Sequence, residues 1–426
     1  MREPTIRIAY FTICARNYLA YAQTLGQSLK QVEPDADFFI FICDGPVDAE
    51  KVSETVIQLD DLALPGLDSM AFRYSVLELA TAIKPICFKY LLANRGYAAA
   101  VYLDPDIQVF APLSAVHEAF GAGASAVLTP HLLAPLEDSA RPTNLEILRS
   151  GTFNLGFAAF TAVPEAMRFL DWWEKILFEQ GYDDIERGLF VDQKFAEFIP
   201  SFISSLKILR DPGYNVAYWN LAHRPVKRTP DGWTAGGVPL IFFHFSGVVP
   251  GNPEIFSKHQ NRFSISTIGD AAELVRAYLE QLNAHGQSEW SGVPYSHAKF
   301  RDGTPVPGVV RRHPPTDQPP ETWLDTYDAA WWDEPSERVD AEDGITITRL
   351  MLAIHASRPD LREAFPLSSR SGRQGFHAWF LAHGAKEYRL SEAQAAAALA
   401  NSALRSPSLA RQFARLKLFL TGPGRR

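Results

Sequence analysis

Residues 101–110 read VYLDPDIQVF, a stretch in which two carboxylates, Asp104 and Asp106, directly follow an apolar, β-prone run. The run from Ala98 to Leu103 is continuously apolar, which is typical of a strand in a parallel sheet. Ligands of open α/β sheets bind outside the carboxyl ends of such strands. An Asp-x-Asp at that place offers hard oxygen ligands where a divalent cation and a diphosphate can meet. The alternative is a solvated turn in which the two carboxylates only cap the following segment.

Strands and helices alternate through the first part of the chain, and this order predicts an α/β fold. A strand over 6–13 precedes a helix over 20–31, and a second apolar strand covers 38–43. Such a βαβ opening implies a parallel sheet. A further helix over 74–92, restarted at Pro85, leads into the strand that ends at the Asp-x-Asp. The two carboxylates are therefore predicted on the ligand-binding edge of a nucleotide-type sheet.

The composition is that of a globular protein, with 46% hydrophobic and 21% charged residues among 426. At this length we expect one large α/β domain with an appended module. A net charge of −8 argues against nucleic acid as a partner, because such binding needs an excess of Lys and Arg on one face. The three cysteines stand in apolar stretches without metal-ligand spacing, which favours buried thiols in a reducing compartment. Since no apolar run approaches the ~20 residues of a membrane helix and no signal-peptide core is found, we predict a cytoplasmic protein.

Three further segments carry polar residues inside or beside apolar strands. Asn154 interrupts the apolar strand over 153–160, and an amide buried there needs a partner or a ligand. Asp192 opens a short helix and can act as its cap or as a ligand. His244 follows another apolar strand and offers an imidazole at its end. Taken singly, these residues are also explained as a core amide, a helix cap and a core histidine. Downstream, positive charge for phosphates is offered by Lys258 and His259.

The order of these motifs resembles the GT-A nucleotide-sugar glycosyltransferases, and most closely the family that includes glycogenin and the bacterial lipopolysaccharide glucosyl- and galactosyltransferases. The resemblance runs in order over about residues 5–265. It implies an α/β GT-A fold and a metal site of Asp104, Asp106 and His244. It also implies that Thr12 and Tyr18 contact the nucleoside base, that Lys84 holds the donor, and that Asn154 and Gly156 face the sugar and the acceptor. The remaining implied positions are the catalytic pair Asp192 and Gln193, Gly247 of the His-x-x-Gly motif, and Asp104 again as a donor contact.

One departure from the family pattern follows the His-x-x-Gly motif. The family has a Lys-Pro-Trp close behind it that contacts the diphosphate, whereas residues 248–253 intervene in this chain. The nearest lysine is Lys258, which we assign to the phosphates.

The resemblance implies a metal-dependent transfer of a hexose from a nucleoside diphosphate sugar, with a UDP-sugar as the favoured donor and retention of anomeric configuration. The cofactor is Mn²⁺ or Mg²⁺, which acts as a Lewis acid on the leaving diphosphate. The acceptor is a glycan, a lipid-linked glycan or a protein. Two alternatives stay open. One is an inactive nucleotide-sugar-binding scaffold; the other is a metal-dependent phosphatase, which would need Thr or Ser shortly after Asp106, where Ile107-Gln108-Val109 stands instead.

The character of the chain changes after about residue 265. We predict a catalytic domain over 1–270, a helix and a Pro- and Gly-rich arm over 271–340, and a helical module over 341–426. The module resembles small helical modules beside bacterial polysaccharide glycosyltransferases, through Gly375, Phe376, Trp379 and Phe380; the alternative is a helical cap without chemistry. The last stretch, 404–426, interleaves basic and apolar residues. A basic amphipathic helix can lie on an anionic inner membrane, and a helix packed on its own domain is the alternative.

Overall fold

The computed structural model describes residues 6–62, 64–313, 323, 327–337, 339, 345–390 and 395–396. By internal contacts the chain divides into two units. We call Met1–Leu64 with Val76–Tyr295 the sheet unit, and Pro65–Ser75 with Ser296–Arg426 the helical unit. The predicted boundaries after residues 270 and 340 stay predictions.

Short strands and helices alternate through the sheet unit. The strands are β1 (Ile8–Cys14), β2 (Asp37–Ile42), β3 (Thr55–Gln58), β4 (Ala99–Leu103), β5 (Ile107–Val109), β6 (Ala126–Pro130), β7 (Phe153–Thr161), β8 (Asp183–Asp184), β9 (Leu189–Phe190), β10 (Leu206–Ile208), β11 (Val226–Thr229), β12 (Gly232–Ala235), β13 (Val238–Pro239) and β14 (Phe242–His244). The α-helices up to residue 312, of which α2 and α11 belong to the helical unit, are α1 (Leu19–Val32), α2 (Leu67–Arg73), α3 (Val76–Ala82), α4 (Lys84–Lys89), α5 (Ser114–Gly121), α6 (Asn144–Ser150), α7 (Pro164–Gln180), α8 (Ile199–Phe202), α9 (Ala271–Ala284), α10 (Gln287–Trp290) and α11 (Gly308–Arg312).

The central sheet has seven strands in the order β10-β6-β7-β4-β1-β2-β3. Its neighbours are parallel except where β7 runs antiparallel to β4 and to β6. The predicted α/β class with a mostly parallel sheet is confirmed. Because β1, β2 and β4 are parallel, their carboxyl ends lie at one edge, and β4 delivers the Asp-x-Asp to that edge between β1 and β7.

The helix α1 shows why the sheet unit folds around a shared core. Its apolar residues recur at helical spacing, and Leu19, Leu25 and Leu29 are buried with the strands. The helix ends at Val32, directly before Glu33, as the Glu-Pro sequence predicts. The carboxylate of Glu33 then accepts hydrogen bonds from the Tyr10 hydroxyl (2.5 Å) and the Leu113 amide (2.8 Å).

Two expectations about local structure are refined by the fold. The predicted helix over 74–92 is broken at Ile83 into α3 and α4, with Pro85 in the first turn of α4, where its missing N–H costs nothing. The strand predicted to end before His244 includes it, because β14 pairs with β5 up to that residue.

The helical unit has its own apolar core, which includes Phe72, Trp323 and Phe376. Buried Arg311 of α11 donates to the carbonyls of Phe72 (2.7 Å) and Tyr74 (3.1 Å). Within the described residues, no helix combines the length and apolarity needed to cross a bilayer. The predicted basic segment 404–426 lies outside the described residues. Further helices of this unit span Ala329–Asp333, Arg349–Ser357, Pro359–Ala364, Arg370–Trp379 and Ala385–Glu387.

Candidate active site

The Asp-x-Asp forms a tight turn at the carboxyl end of β4. The Asp104 amide donates to the Gly156 carbonyl of β7 (2.8 Å), and the Ile107 amide returns to the Asp104 carbonyl (3.0 Å). Both aspartate side chains are partly exposed at this edge. The Tyr102 hydroxyl donates to Asp104 Oδ1 (2.6 Å), so that this carboxylate has a fixed orientation.

Backbone pairing brings His244 to the same place. In the antiparallel pair β5 and β14, His244 stands opposite Ile107, and the Phe245 amide donates to the Asp106 carbonyl (2.8 Å). His244 Nε2 lies 3.0 Å from Asp106 Oδ1 and 3.6 Å from Asp104 Oδ2. Buried His244 thus lies beside two carboxylates that are distant from it in the sequence.

The chemistry of this cluster fits a divalent cation. One ligand atom from each of Asp104, Asp106 and His244 lies within 4.8 Å of the others. Two carboxylates with one imidazole suit Mn²⁺ or Mg²⁺ and leave positions for phosphate oxygens and water. Gly156 leaves room for the imidazole, because a Cβ there would lie 2.4 Å from His244 Cε1.

The electrostatics of the cluster show an excess of negative charge. Burial raises the pKa of Asp104 above its usual value, although Lys84 and His244 oppose the shift. Burial lowers the pKa of His244, but Asp106 and then Asp104 outweigh it, so the pKa of His244 is raised overall. The cluster therefore favours bound positive charge, whether as protons or as a cation.

Lys84 and Asp192 form a buried ion pair next to this cluster. Lys84 Nζ lies 2.5 Å from Asp192 Oδ2, donates to the Leu155 carbonyl (2.9 Å) and sits 4.1 Å from the centre of the Tyr102 ring. Burial is the main cause of the raised pKa of Asp192, and Lys84 opposes it. Asp192 is thus paired with Lys84. The short helix that Asp192 was predicted to cap, Phe195–Phe198, has Lys194 at its N-cap instead.

Asn154 is bonded on all sides within the protein. Its Oδ1 accepts from Asn215 Nδ2 (3.0 Å) and the Gly156 amide (3.1 Å). Its Nδ2 faces His131 Nε2 (3.2 Å) and Gln193 Oε1 (3.5 Å). The amide has no remaining donor or acceptor for a ligand in this arrangement. Direct contact of Asn154 with sugar and acceptor stays a prediction.

Gln193 has capacity left for a ligand. Its Oε1 also accepts from the Leu155 amide (3.0 Å), while its Nε2 donates to the Ser150 carbonyl (3.0 Å). One amide hydrogen of Gln193 has no partner among the described residues. The backbone just before this pair is strained, because buried Val191 has φ 41°, a conformation that β-branched residues rarely adopt.

Sequence reasoning missed the residues behind the cluster. The Trp219 ring lies edge-on between two imidazoles, 5.3 Å from His131 and 5.2 Å from His244. Burial, and then the charge of His244, lower the pKa of His131 to about 4, so it is neutral. Asn220 donates to the carbonyls of His131 (3.1 Å) and Asn215 (2.9 Å). The positive φ of 54° at Asn215 is compatible with asparagine, but nothing in the local sequence marks it.

The predicted base contacts lie at the start of the chain. Thr12 is buried in β1, and its Oγ1 has no hydrogen-bond partner among the described residues. Tyr18 is partly exposed, and its ring stacks on Tyr21 at 4.6 Å. Sequence reasoning missed buried Asp44 beyond β2, which accepts from the Arg16 amide at 2.7 Å and so shapes this loop.

Gly247 and Lys258 lie on the loops beyond His244. Gly247 has φ 77°, and a Cβ there would come within 2.5 Å of His259 Cδ2. The Lys258 amide donates to the Gly247 carbonyl (2.9 Å), while its side chain is exposed. The His259 ring lies 6.2 Å from Tyr218, which packs on Trp219. His259 thus lies beside the aromatic pair Tyr218 and Trp219, and Trp219 packs against His244.

Comparison with known proteins adds similarity in sequence and in structure. No family model matches the chain. It is 24% identical over 251 residues to the uncharacterized protein YfnF of Bacillus subtilis (strain 168), covering 56% of this chain and 81% of that protein. It is 26% identical over 196 residues to YfnD of the same organism, covering 45% and 61%.

Solved structures with similarity to this chain include glycosyltransferases. The galactosyltransferase LgtC in complex with donor and acceptor sugar analogs is 14% identical, with 65% of this chain and 95% of that chain covered at a TM-score of 0.41. The bifunctional glycosyltransferase WbbM is 13% identical, with 69% and 51% covered at a TM-score of 0.39. The predicted resemblance to glycosyltransferases thus recurs as a resemblance in structure.

Proposed function

We propose that the protein is a metal-dependent glycosyltransferase. It would transfer a hexose, with retention, from a UDP-sugar to a glycan, a lipid-linked glycan or a protein. The observation that carries this proposal is the meeting of Asp104, Asp106 and His244 at the carboxyl edge of the sheet. A turn that only needed a cap would not require an imidazole from a distant strand between its carboxylates.

The cluster would serve the leaving group. Mn²⁺ or Mg²⁺ held by Asp104, Asp106 and His244 would supply Lewis acidity for the diphosphate, whose negative charge grows as the sugar departs. The chain's own contribution is orientation: the Tyr102 hydroxyl holds one carboxylate, and Trp219 packs against the imidazole. Fixed ligands reduce the reorganisation needed when charge develops.

The sugar would lie on the side of the site where Lys84 and Asp192 form their ion pair. Asp192 offers a carboxylate for sugar hydroxyls, and its orientation is set by Lys84. Gln193 offers its second amide hydrogen to the same ligand, with the rest of its amide fixed by β7 and Ser150. Asn154 stays the proposed contact of the sugar and the acceptor, and its present hydrogen bonds to His131 and Asn215 would have to open for that contact.

The nucleoside would lie beyond the carboxyl ends of β1 and β4. The Thr12 hydroxyl, which has no partner among the described residues, would meet a base edge, and the partly exposed ring of Tyr18 would meet a base face. Gly156 and Gly247 allow close approach of backbone, and Lys258 stays the proposed phosphate contact. A cytoplasmic location, a role in polysaccharide synthesis and contact of segment 404–426 with the inner membrane complete the proposal.

A donor-hydrolysis screen tests this function. Nucleoside diphosphate release would be measured from a panel of nucleotide sugars with Mn²⁺, Mg²⁺ or chelator. We expect release from one donor that needs metal, is lost in Asp106→Asn and persists in Asp231→Asn, a matched change at an exposed site.

Other outcomes would move the assignment. Metal-dependent nucleotide binding without any release, even with acceptors added, would point to an inactive scaffold. Phosphate release from phosphomonoesters would point to a phosphatase. Absence of both turnover and metal-dependent nucleotide binding would refute the glycosyltransferase.

A further inference from the structure

Residues 257–262, which we call the anchored segment, are bound at their first end to Gly247. The Lys258 amide donates to the Gly247 carbonyl (2.9 Å), and the His259 amide donates to the Oγ of buried Ser257 (3.2 Å). A Cβ on Gly247 would come within 2.5 Å of both Ser257 Oγ and His259 Cδ2. The His259 ring therefore lies directly against the His-x-x-Gly motif of the candidate site.

The other end of the anchored segment is held by Arg262, whose side chain is only 6% exposed. Its Nε donates to Asp138 Oδ2 (2.8 Å), and its Nη2 donates to Asp138 Oδ1 (2.9 Å). The same Nη2 also donates to two backbone carbonyls of the Asp138 loop, at 2.8 and 2.9 Å. Next to it, Asn261 Oδ1 accepts from the Arg141 amide (2.6 Å), and the Asn261 amide donates to the Arg141 carbonyl (3.2 Å). Such a fork of donors on a carboxylate fixes both distance and direction, which a lysine would not do.

The loop that Arg262 holds begins at the same edge of the sheet as the candidate metal site. The strands β6 and β4 are each antiparallel to β7, so they run in the same direction and their carboxyl ends lie at one edge. The loop after β6 starts with His131, whose ring lies 5.3 Å from the Trp219 ring. Arg262 thus ties together two segments that both border the candidate site.

The charges around His259 show that its ring lies near the candidate metal site. Burial, and then the charge of Lys258, lower the pKa of His259, while Asp106 raises it and His244 lowers it further. His259 is therefore neutral at pH 7 and offers an imidazole N–H as a hydrogen-bond donor. The ring is exposed, with Tyr218 on one side at 6.2 Å, so a ligand can reach it. The adjacent Lys258, which is also exposed, adds a positive charge.

We propose that Arg262 is a positioning residue, which holds the anchored segment so that His259 and Lys258 donate to the diphosphate of the sugar donor. The Lys-Pro-Trp of the resembled family does not follow Gly247 in this chain, where residues 248–253 intervene. The anchored segment would supply phosphate donors from farther along the chain, and the Arg262 contacts would remove the mobility that the longer connection brings. This inference rests on the proposed function, because it takes a nucleoside diphosphate as the ligand.

Calorimetric titration of the full chain tests the role of Arg262. UDP, GDP and ADP and their nucleosides would be titrated in the presence of Mn²⁺, and Mn²⁺ would also be titrated alone. In Arg262→Met we expect the affinity for the diphosphate that the unmodified chain binds to fall about tenfold or more, since hydrogen bonds to charged groups are lost. The affinities for the matching nucleoside and for Mn²⁺ alone should stay the same. An arginine that only stabilised the fold would not separate the diphosphate from the nucleoside.

Two further variants accompany Arg262→Met, and the thermal unfolding of each is compared with that of the unmodified chain. Asp138→Asn changes a half-exposed side chain and is expected to fold. It should weaken diphosphate binding by about threefold, because the neutral amide keeps one acceptor and charge-assisted hydrogen bonds are roughly twice as strong as neutral ones. It should add nothing in the Arg262→Met background. Arg228→Met is the matched control, since Arg228 pairs with Glu273 at 3.3 Å in β11, and it should bind every ligand as the unmodified chain does.

The outcomes separate this inference from the proposed function. Undiminished diphosphate affinity in Arg262→Met, or equal losses for the diphosphate and its nucleoside, would overturn the role of Arg262 and leave the proposed function standing. A loss of affinity for Mn²⁺ alone would overturn it as well, because Arg262 would then act on the metal site. If the unmodified chain bound none of the three diphosphates, the proposed function and this inference would both be overturned.

Discussion

A methyl group at position 156 would collide with the candidate metal site. A Cβ on Gly156 would lie 2.4 Å from His244 Cε1, 2.7 Å from His244 Nδ1 and 2.8 Å from Asn154 Oδ1. Ordinary contacts between carbon atoms are about 3.5–4.0 Å, so the imidazole would have to move by roughly 1 Å. The clash cannot be relieved easily by a movement of Asn154, because its amide is hydrogen-bonded on all sides.

The size of this movement sets the expected effect on metal binding. Metal–ligand distances hold within about 0.2 Å, so a shift of roughly 1 Å removes His244 from the coordination sphere. We expect Gly156→Ala to weaken Mn²⁺ binding about 10- to 100-fold. Overpacking of this kind also lowers the free energy of unfolding by about 1–3 kcal/mol.

Calorimetric titration with Mn²⁺ and a nucleoside diphosphate measures the effect. Gly121→Ala is the matched control, because a Cβ at that position of α5 meets no atom of the described residues within 4 Å. The control should bind Mn²⁺ as the unmodified chain does. Undiminished Mn²⁺ affinity and unchanged stability in Gly156→Ala would refute the close approach of β7 to His244.

Further predictions concern the residues around the cluster. Lys84→Met leaves the buried carboxylate of Asp192 without its 2.5 Å partner, so we expect the free energy of unfolding to fall by about 3–5 kcal/mol. Adding Asp192→Asn should recover much of that loss, and strictly additive losses in urea denaturation would contradict the pair. Burial lowers the pKa of His131 to about 4 in the folded protein. On acidification, His131 is therefore protonated in the unfolded chain at a higher pH than in the folded chain. The stability due to neutral His131 is complete above about pH 6.5 and is lost toward pH 4, by up to roughly 3 kcal/mol. In His131→Gln, the free energy of unfolding should fall less steeply over this pH range. An equal fall in the variant and the unmodified chain would refute the role of His131. Because Val191 has φ 41°, Val191→Gly should have a free energy of unfolding at least as high as that of Val191→Ala. At ordinary positions in helices and strands, Gly instead lowers the free energy of unfolding by about 0.5–1 kcal/mol relative to Ala. A lower urea midpoint for Val191→Gly than for Val191→Ala would contradict the left-handed backbone.

The sequence predicts those strands and helices whose burial leaves a pattern of apolar residues within the segment itself. The strand before Asp104 is buried on both faces, so it appears as an unbroken apolar run. The helix α9 begins at Ala271, where the region predicted to contain a helix begins, and its apolar period is clear because one face of α9 packs into the core. The Asp-x-Asp could be placed at the sheet edge for the same reason, since it directly follows a recognisable strand.

Contacts between distant segments left no comparable signal. Asn215 reaches Asn154 from a loop with no periodic pattern, and its donor role depends on a left-handed backbone that the sequence does not mark. The antiparallel direction of β7 follows from the path of the chain before it, whereas an apolar run suits either direction. His131 and Trp219 carry no local sequence signal, because only their positions around His244 distinguish them from other buried residues.

The charge balance of the site explains why these residues belong together. Asp104, Asp106 and Asp192 carry three negative charges, and Lys84 supplies one positive charge, so two negative charges are left when His244 is neutral. Uncompensated charge at a largely buried edge is costly, and the raised pKa values of Asp104 and His244 express that cost as affinity for protons. One divalent cation would balance the excess without requiring any proton. The cluster would then be electrically neutral, and the two or more charges of an arriving diphosphate would need further donors, which makes the exposed Lys258 and the neighbouring His259 the next residues to replace.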